Sequence, residues 1–412
     1  MKKLVTFLLL VISTVAVAQD VKVTTKDNDL KLAALPYYNY GKGLGITSPD
    51  SLFQLNIRFR MQNRVTYIQN EDEDAAYSGE IRRLRLRFDG FVGNPKFLYV
   101  LQLSFGSGDV GAEKAGENLN VIRDAVFYYR PTNSWQFGFG VTKLPGTRQT
   151  VNSSGAIQLT DRSINNMRFS IDRDFGLHFA NINEFQDKFS YNFKGAISLG
   201  EGRNWTTNNP NSNLKDNNGL CYTAKLEVLP LGKFKNDGHY FEGDILREPQ
   251  PKVMLSGVYS FNNKARKTQG QLGDLLYETK DVTSVFLDLI AKYRGWAFMS
   301  TYMNRNSTNP ITTNPTESTL KRAVFNGYGS DIQCSYIFPS KYEIIGRYSL
   351  QKISKEVSLY YPNINQFSFG VNKYIWEHAL KLQAEFTQEK QTFYDNTSKN
   401  NWYLRFQVEL GI

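Results

Sequence analysis

The chain has 412 residues, carries a formal charge of +10 and is rich in aromatic residues, which make up 14% of it. The positive charge favours small anionic solutes as partners, and we expect no nucleic acid among them. Its three histidines have no ligand spacing, so we predict neither a metal centre nor a catalytic histidine, and no cofactor. Cys221 and Cys334 fall in strand-like segments far apart in sequence, which favours two free thiols over a disulfide.

Residues 1–18 have the features of a secretory signal peptide. Two lysines precede an apolar run from Leu4 to Val17, and a small-x-small cleavage site ends at Ala18. The run is shorter than the roughly 20 residues that a membrane-spanning helix needs, and no later stretch approaches that length. We therefore predict cleavage after Ala18 rather than a retained anchor, and a periplasmic segment over residues 19–50.

From about residue 51 to the end, apolar and polar residues alternate, which is typical of strands with one face toward lipid. An even number of strands leaves both termini on one side of a membrane. The pattern predicts sixteen strands, near residues 52–67, 81–93, 96–105, 120–130, 135–143, 174–182, 188–200, 219–229, 251–261, 282–293, 295–304, 327–338, 341–349, 364–374, 378–387 and 401–412. The predicted fold is all-β, a transmembrane antiparallel barrel over residues 51–412.

Short links alternate with long polar links between these segments, as in outer-membrane barrels with short periplasmic turns and long external loops. The link over residues 230–250 is long where a short turn is expected. Its residues Asp237, Glu242 and Asp244 are weak candidates for a calcium site, since calcium takes oxygen ligands. The EF-hand spacing is absent, so a solvated or plug-like turn is favoured.

A soluble β-sandwich is the alternative explanation of the alternating pattern. No linker or change of composition divides residues 51–412, although a single core of that size usually splits into domains. The polar faces carry Arg, Lys, Gln and Asn, as expected of a water-filled lumen. These observations favour a barrel in the outer membrane of a Gram-negative bacterium, with its apolar face against lipid.

The segment over residues 81–89, IRRLRLRFD, places three arginines on the polar face of one strand, about 6.6 Å apart. The first strand adds two more, and barrel closure brings an arginine of the last strand beside them. These residues are Arg58, Arg60, Arg83, Arg85, Arg87 and Arg405. Rows of guanidinium groups bind phosphate or carboxylate and select anions in pores. The alternative is a structural network, balanced by Asp89, Glu409 and acidic loop residues.

The longest external link, residues 144–173, contains Arg148, Arg162 and Arg168, which are candidates for a pore constriction. Loops longer than about 15 residues usually have a function. We therefore favour a loop folded into the pore over one that extends into solvent.

Several stretches carry a family resemblance: RRLRLRFDG with its return NPKFLYVLQLSF, VTKLPGTRQ, DRSINNMRF, RDFGLHF, GHYFEGDILREPQPK and the closing WYLRFQVELGI. The chain resembles the phosphate-selective porin O and P family, and looks most like members from Bacteroidetes-type bacteria. The resemblance implies a sixteen-stranded, usually trimeric channel whose third loop carries basic residues. The family's arginine ladder corresponds to the five arginines of the first two strands, whereas loop 144–173 contains no lysine to match the family's constriction lysines.

Three functions remain open on the sequence. The favoured one is a passive channel that prefers anions such as phosphate. The others are a nonspecific diffusion porin and a barrel with a closed lumen that serves as an adhesin or scaffold. No Ser, His and acid constellation falls on one external rim, so we expect no enzymatic activity.

Overall fold

A computed structural model describes residues 37–39, 43–110, 121–203 and 219–412. Within them, sixteen antiparallel strands form one barrel, which confirms the predicted architecture. They are β1 Phe53–Gln69, β2 Ala76–Val92, β3 Asn94–Ser104, β4 Ile122–Tyr129, β5 Trp135–Lys143, β6 Arg173–Asn183, β7 Ser190–Ser198, β8 Cys221–Leu229, β9 Lys252–Lys267, β10 Leu275–Tyr293, β11 Trp296–Asn306, β12 Gly327–Ile337, β13 Tyr342–Ile353, β14 Asn363–Trp376, β15 Leu380–Thr392 and β16 Ser398–Gly411. The predicted signal peptide, residues 1–18, lies outside the described residues.

The barrel closes where β16 pairs with β1, from Trp402 opposite Gln69 to Gly411 opposite Arg60. Closure satisfies the backbone hydrogen bonds of both terminal strands, which lipid could not satisfy. A hairpin of Tyr37–Asn39 and Gly43–Thr47 continues the wall beyond the end of β16, because its second strand pairs with the start of β1. None of the helices in the described ranges is long and apolar enough to span a membrane.

Short turns join strands at the periplasmic end of the barrel. Tyr293 of β10 pairs directly with Trp296 of β11, which leaves a two-residue turn. Arg294 and Gly295 both have positive φ there, 47° and 97°. Two positive φ values match the right-handed strand twist and are the reason that glycine is favoured in such turns.

The outer face is apolar, and aromatic side chains lie near the periplasmic strand ends. Exposed examples are Phe97, Tyr129, Trp135, Trp296, Phe338 and Trp376. Aromatic girdles of this kind mark the membrane interfaces of outer-membrane barrels. Cys334 is exposed on β12 while Cys221 is buried on β8, and both thiols are free, as predicted.

Two segments fold into the lumen. The inward loop, residues 144–172, joins β5 to β6 and contains helices Arg148–Val151 and Ile164–Phe169. The inward link, residues 230–251, enters from the periplasmic end and contains the 3-10 helix Lys235–Tyr240. Other described elements in the connections are helix Ser107–Val110, the hairpin Ile311–Thr313 with Lys321–Ala323, and the 3-10 helix Lys355–Val357.

Apolar packing inside the barrel holds the inward loop in place. Phe169 is fully buried in a cluster with Val258 of β9, Phe286 of β10 and Met303 of β11. Burying a side chain of this size contributes about 1.5–3 kcal/mol. The prediction of a water-filled lumen is therefore wrong beside β9 to β11, because the inner face of these strands packs against protein.

Candidate functional site

Arginines from β1 and β2 form one wall of the lumen. Arg58 pairs with Arg87 and Arg60 with Arg85 across the two strands. A β-bulge beside Gln62 lets Arg82 and Arg83 both turn inward. We call Arg58, Arg60, Arg64, Arg82, Arg83, Arg85 and Arg87 the arginine wall. Like charges directly opposite each other destabilise a sheet, so this arrangement requires counter-charges.

The two counter-charges expected from the sequence are in place. Asp89 lies between Arg58 and Arg87, with one carboxylate oxygen 2.9 Å from Arg58 Nη2 and the other 2.9 Å from Arg87 Nε. Glu409 of β16 is 2.6 Å from Arg60 Nε. These contacts show that barrel closure brings the last strand against the arginine wall.

Asp161 of the inward loop binds three arginines in the external part of the wall. Its carboxylate lies 2.9 Å from Arg83 Nη2, 3.0 Å from Arg82 Nε and 2.7 Å from Arg64 Nη1. Burial acts to raise the pKa of Asp161, but the three guanidinium groups hold it well below its usual range. The carboxylate is therefore ionised and ties the loop to the barrel wall.

A second loop carboxylate, Asp109 in helix Ser107–Val110, binds Arg85 at 2.5 Å and Arg123 of β4 at 2.7 Å. Burial opposes ionisation, yet these two arginines lower the pKa of Asp109. Arg173 at the start of β6 binds Asp124 at 3.0 Å. The external half of the wall is thus a network of ion pairs, the alternative that the sequence left open.

The periplasmic half of the wall faces a cavity of about 810 Å³, which we call the vestibule. Arg58 and Arg87 keep 37% of their side-chain surface exposed, whereas Arg83 keeps 3%. The inward loop bounds the vestibule on its external side through residues 151–156, and Phe241 and His378 lie among its other lining residues. Solvent in the vestibule therefore meets Arg58 and Arg87 directly.

Arg60 and Arg85 mark the external end of the vestibule. Both donate to the same acceptor, Ser154 Oγ of the inward loop, at 2.9 and 3.0 Å. Lys143, the last residue of β5, lines the same cavity and donates to the carbonyls of Val151 and Asn152. Cationic side chains thus surround the place where the loop meets the wall.

The side chains of the three arginines predicted for the constriction point to different parts of the protein. Arg148 is buried against Met299 and lies 3.8 Å from Glu242 of the inward link. Arg162 donates to carbonyls of its own loop, at Gln149 and Asn152. Arg168 is exposed and lies over the Phe325 ring. The structure therefore does not gather them in one place, and none of the three lines the vestibule.

Arg405 is also separated from the vestibule. It stacks over Tyr403, 3.9 Å from the ring centroid, and lines an external cavity with Glu71 and Glu389. The inward loop lies between this cavity and the vestibule. The sequence placed Arg405 beside the first strand, where it is, but could not show which side of the loop it would occupy.

The calcium candidates do not converge. Glu242 accepts hydrogen bonds from Gln149 and Gln158, while Asp244 accepts them from the backbone of Gly295 and Glu248. Through these hydrogen bonds Glu242 and Asp244 serve the packing of the link. Within the described residues no group of three His, Cys, Asp or Glu side chains that could hold a metal ion occurs.

Sequence reasoning missed four cationic residues of the site. Arg64 lies on the predicted polar face of β1 and continues the spacing of Arg58 and Arg60, so that signal was present. Arg82 depends on the bulge, which the sequence does not reveal. Arg123 and Lys143 could have been found only by knowing which loops fold back onto their strands.

Comparison with known proteins agrees with this geometry. The match is to the phosphate-selective porin O and P family. The family model covers residues 53–219, which include the arginine wall and the inward loop. Over these residues the predicted resemblance is confirmed, and the whole chain has the sixteen-stranded barrel fold of outer-membrane porins, as expected for a barrel of a Gram-negative outer membrane. No curated protein sequence matches it.

Solved porin structures share the fold at low sequence identity. The outer membrane channel DcaP of Acinetobacter baumannii is 11% identical, with a TM-score of 0.54 over 89% of this chain and 99% of that one. OmpF of Salmonella typhi, solved in complex with daunomycin, is 12% identical, with a TM-score of 0.52 over 90% of this chain and 100% of that one. At this identity the likeness shows the barrel fold.

The replacement Asp161→Asn tests the network. It removes one negative charge at nearly constant volume and leaves Arg64, Arg82 and Arg83 without their shared carboxylate. Breaking a buried ion pair costs about 3–5 kcal/mol, so the inward loop should be held less tightly and current noise should rise. The anion-to-cation permeability ratio should increase, measured as the reversal potential in a salt gradient. Asp395→Asn, in the exposed last loop, is the matched control, and equal ratios for both variants would contradict the assignment.

Proposed function

We propose that this porin is a passive channel that prefers small anions such as phosphate. The observation that carries the proposal is the charge of the vestibule lining, where cationic side chains outnumber carboxylates. The cations are Arg58, Arg60, Arg85, Arg87, Lys143 and Arg173, and the carboxylates are Asp89, Asp124, Glu377 and Glu409.

The contacts of the two most exposed arginines support a direct role. Arg58 contacts Asp89 through Nη2 and Arg87 contacts it through Nε, so one carboxylate serves two guanidinium groups. Donors of both side chains remain for a solute. Guanidinium groups stay charged at physiological pH and match the oxygen geometry of phosphate and carboxylate. A permeating anion would thus exchange water for these donors.

A nonspecific diffusion porin is the competing function, and a specific observation favours it. Asp161 and Asp109 bind five of the arginines that face the loops, so the guanidinium groups in the external half of the pathway are engaged in ion pairs within the protein. In that case the arginines would set a transverse field without selecting the sign of the solute. The two functions differ in whether charge in the vestibule governs permeation.

The double variant Arg58→Gln with Arg87→Gln tests the proposal. It removes two vestibule charges while retaining length and hydrogen-bonding groups. We expect the anion-to-cation permeability ratio to fall in 0.1 M salt, where the Debye length is about 10 Å, and the effect to shrink at 1 M, where it is about 3 Å. Reversal potentials of single channels in planar bilayers measure the ratio.

The control removes the same charge elsewhere: Lys96→Gln with Lys188→Gln, both exposed at periplasmic strand ends. Its permeability ratio should stay near that of the unaltered protein. If the arginine variant keeps its reversal potential at low salt, the channel is a nonspecific porin. Absence of any single-channel current in the unaltered protein would favour the scaffold or adhesin function.

We also propose that the protein forms a homotrimer, because the family resemblance implies three chains and the height of its wall calls for a protein neighbour. Strands β4, β5, β7 and β8 have 8 or 9 residues, whereas β1, β2, β9 and β10 have 16 to 19. Eight residues tilted by about 40° cover roughly 20 Å, less than the apolar band of about 25 Å. A protein neighbour would protect this low wall, whose outer face carries exposed phenylalanines at 127, 137, 139 and 175.

Native mass spectrometry in detergent checks the oligomeric state. We expect three times the mass of one chain, and replacing Phe137 and Phe139 with Arg should release monomers because charge would enter the interface. The same replacement with Arg at Leu287 and Leu289, on the outer face of the long strand β10, should leave the mass of the oligomer unchanged. A monomer mass for the unaltered protein would contradict the proposal.

A further inference from the structure

We propose that the inward link, residues 230–251, is a second constriction element, joined to the inward loop by Glu242, that confines solutes to a path along the arginine wall and sets their size limit. The proposal rests on the channel function of the barrel and not on its preference for anions.

The length of the link is not needed to connect its strands. β8 and β9 are neighbours in the wall, with Val228 opposite Leu255. Neighbouring antiparallel strands can be joined by a two-residue turn. The link therefore contains about twenty residues more than the connection requires, and loops of this length in compact proteins usually have a function.

The link is packed inside the barrel. Phe234 is fully buried among Leu229, Met254, Ile290 and Met299, which come from β8 to β11. Ile245 packs at the other side of the link, against β12 and β14. Both ends of the insertion thus have their own apolar contacts with the inner face of the wall.

Hydrogen bonds to the wall fix the backbone of the link. Lys292 Nζ of β10 donates to the carbonyls of Gly238 and Gly243, each at 2.7 Å. Asp244 accepts a hydrogen bond of 2.7 Å from the backbone of Gly295, in the turn between β10 and β11. These contacts leave the link little freedom to move out of the lumen.

Glu242 joins the link to the inward loop inside the barrel. Its carboxylate accepts hydrogen bonds from Gln149 Nε2 at 2.8 Å, from the backbone of Gln158 at 2.9 Å and from Gln333 Nε2 of β12 at 3.2 Å. Its own backbone N–H donates to Ala156 at 3.0 Å. Segments that enter from opposite ends of the barrel therefore meet at one buried carboxylate.

Phe241 lies at the boundary between the filled and the open part of the lumen. Its ring stacks on His378 at 4.7 Å, and both residues line the vestibule together with Arg58 and Arg87. The side of the lumen next to β8–β12 is occupied by the link, so the vestibule is the part of the periplasmic lumen left for solutes. Moving or removing the link would widen that space.

The first experiment replaces residues 231–250 with the turn Gly-Asn-Gly-Ser. Single-channel conductance should increase by about twofold or more, because a substantial part of the barrel interior becomes water-filled. Uncharged sugars too large for the unaltered channel should enter proteoliposomes in a swelling assay. A shift between folded and heat-denatured positions on gel electrophoresis confirms that the variant is folded. A folded variant with unchanged conductance and size limit would overturn the proposal.

The second experiment keeps the link and needs no deletion. In a background with Cys221→Ser and Cys334→Ser, Phe241→Cys should react with a bulky methanethiosulfonate reagent from the periplasmic side, and the current should fall by about half or more. Leu231→Cys, which is exposed at the start of the link, is the matched control and should react without loss of current. Modification of Phe241→Cys at full current would refute the constriction. Reversal potentials measured alongside report the anion preference separately, so either proposal can fail alone.

Discussion

The ion pairs of Asp161 are the interaction on which the rest of the lumen depends. Seven arginines on two adjacent strands repel one another, and the wall itself supplies too few carboxylates to offset them. Asp161 supplies a further negative charge from the inward loop and binds three guanidinium groups at once. The same contacts that stabilise the wall therefore hold the loop inside the barrel, so the charge pattern of β1 and β2 and the shape of the pore have one cause.

The lumen is consequently divided into two parts with different chemistry. Next to β8–β12 it is filled by the inward loop and the inward link, which meet at Glu242 and pack on apolar inner faces. Next to β1 and β2 it remains open at the periplasmic end and is lined by arginine. A barrel of sixteen strands has an interior wide enough for an aqueous channel, and here the inserted segments reduce it to a lateral path.

The wall could be predicted from sequence because strand periodicity and turn lengths are local properties, as the two-residue turn at Arg294 illustrates. The contents of the lumen depend on contacts between residues far apart in sequence, and the pairing of Asp161 with Arg83 has no local signature. One signal was available. In β10 the inner face carries Val282, Phe286 and Ile290, and large apolar side chains on an inner face indicate that protein and not water lies against them. The direction of Arg148 toward the link follows from that packing and from no feature of its own loop.

Bromide soaked into crystals of the protein tests most directly whether anions follow the arginine wall. Anomalous scattering locates the ion without a change of sequence, and each site can be related to its donors. We expect bromide peaks in the vestibule beside Arg58, Arg87 and Arg60, with none beside Glu242, where the lumen is filled. Peaks absent from the vestibule, or located in the part next to β8–β12, would contradict it.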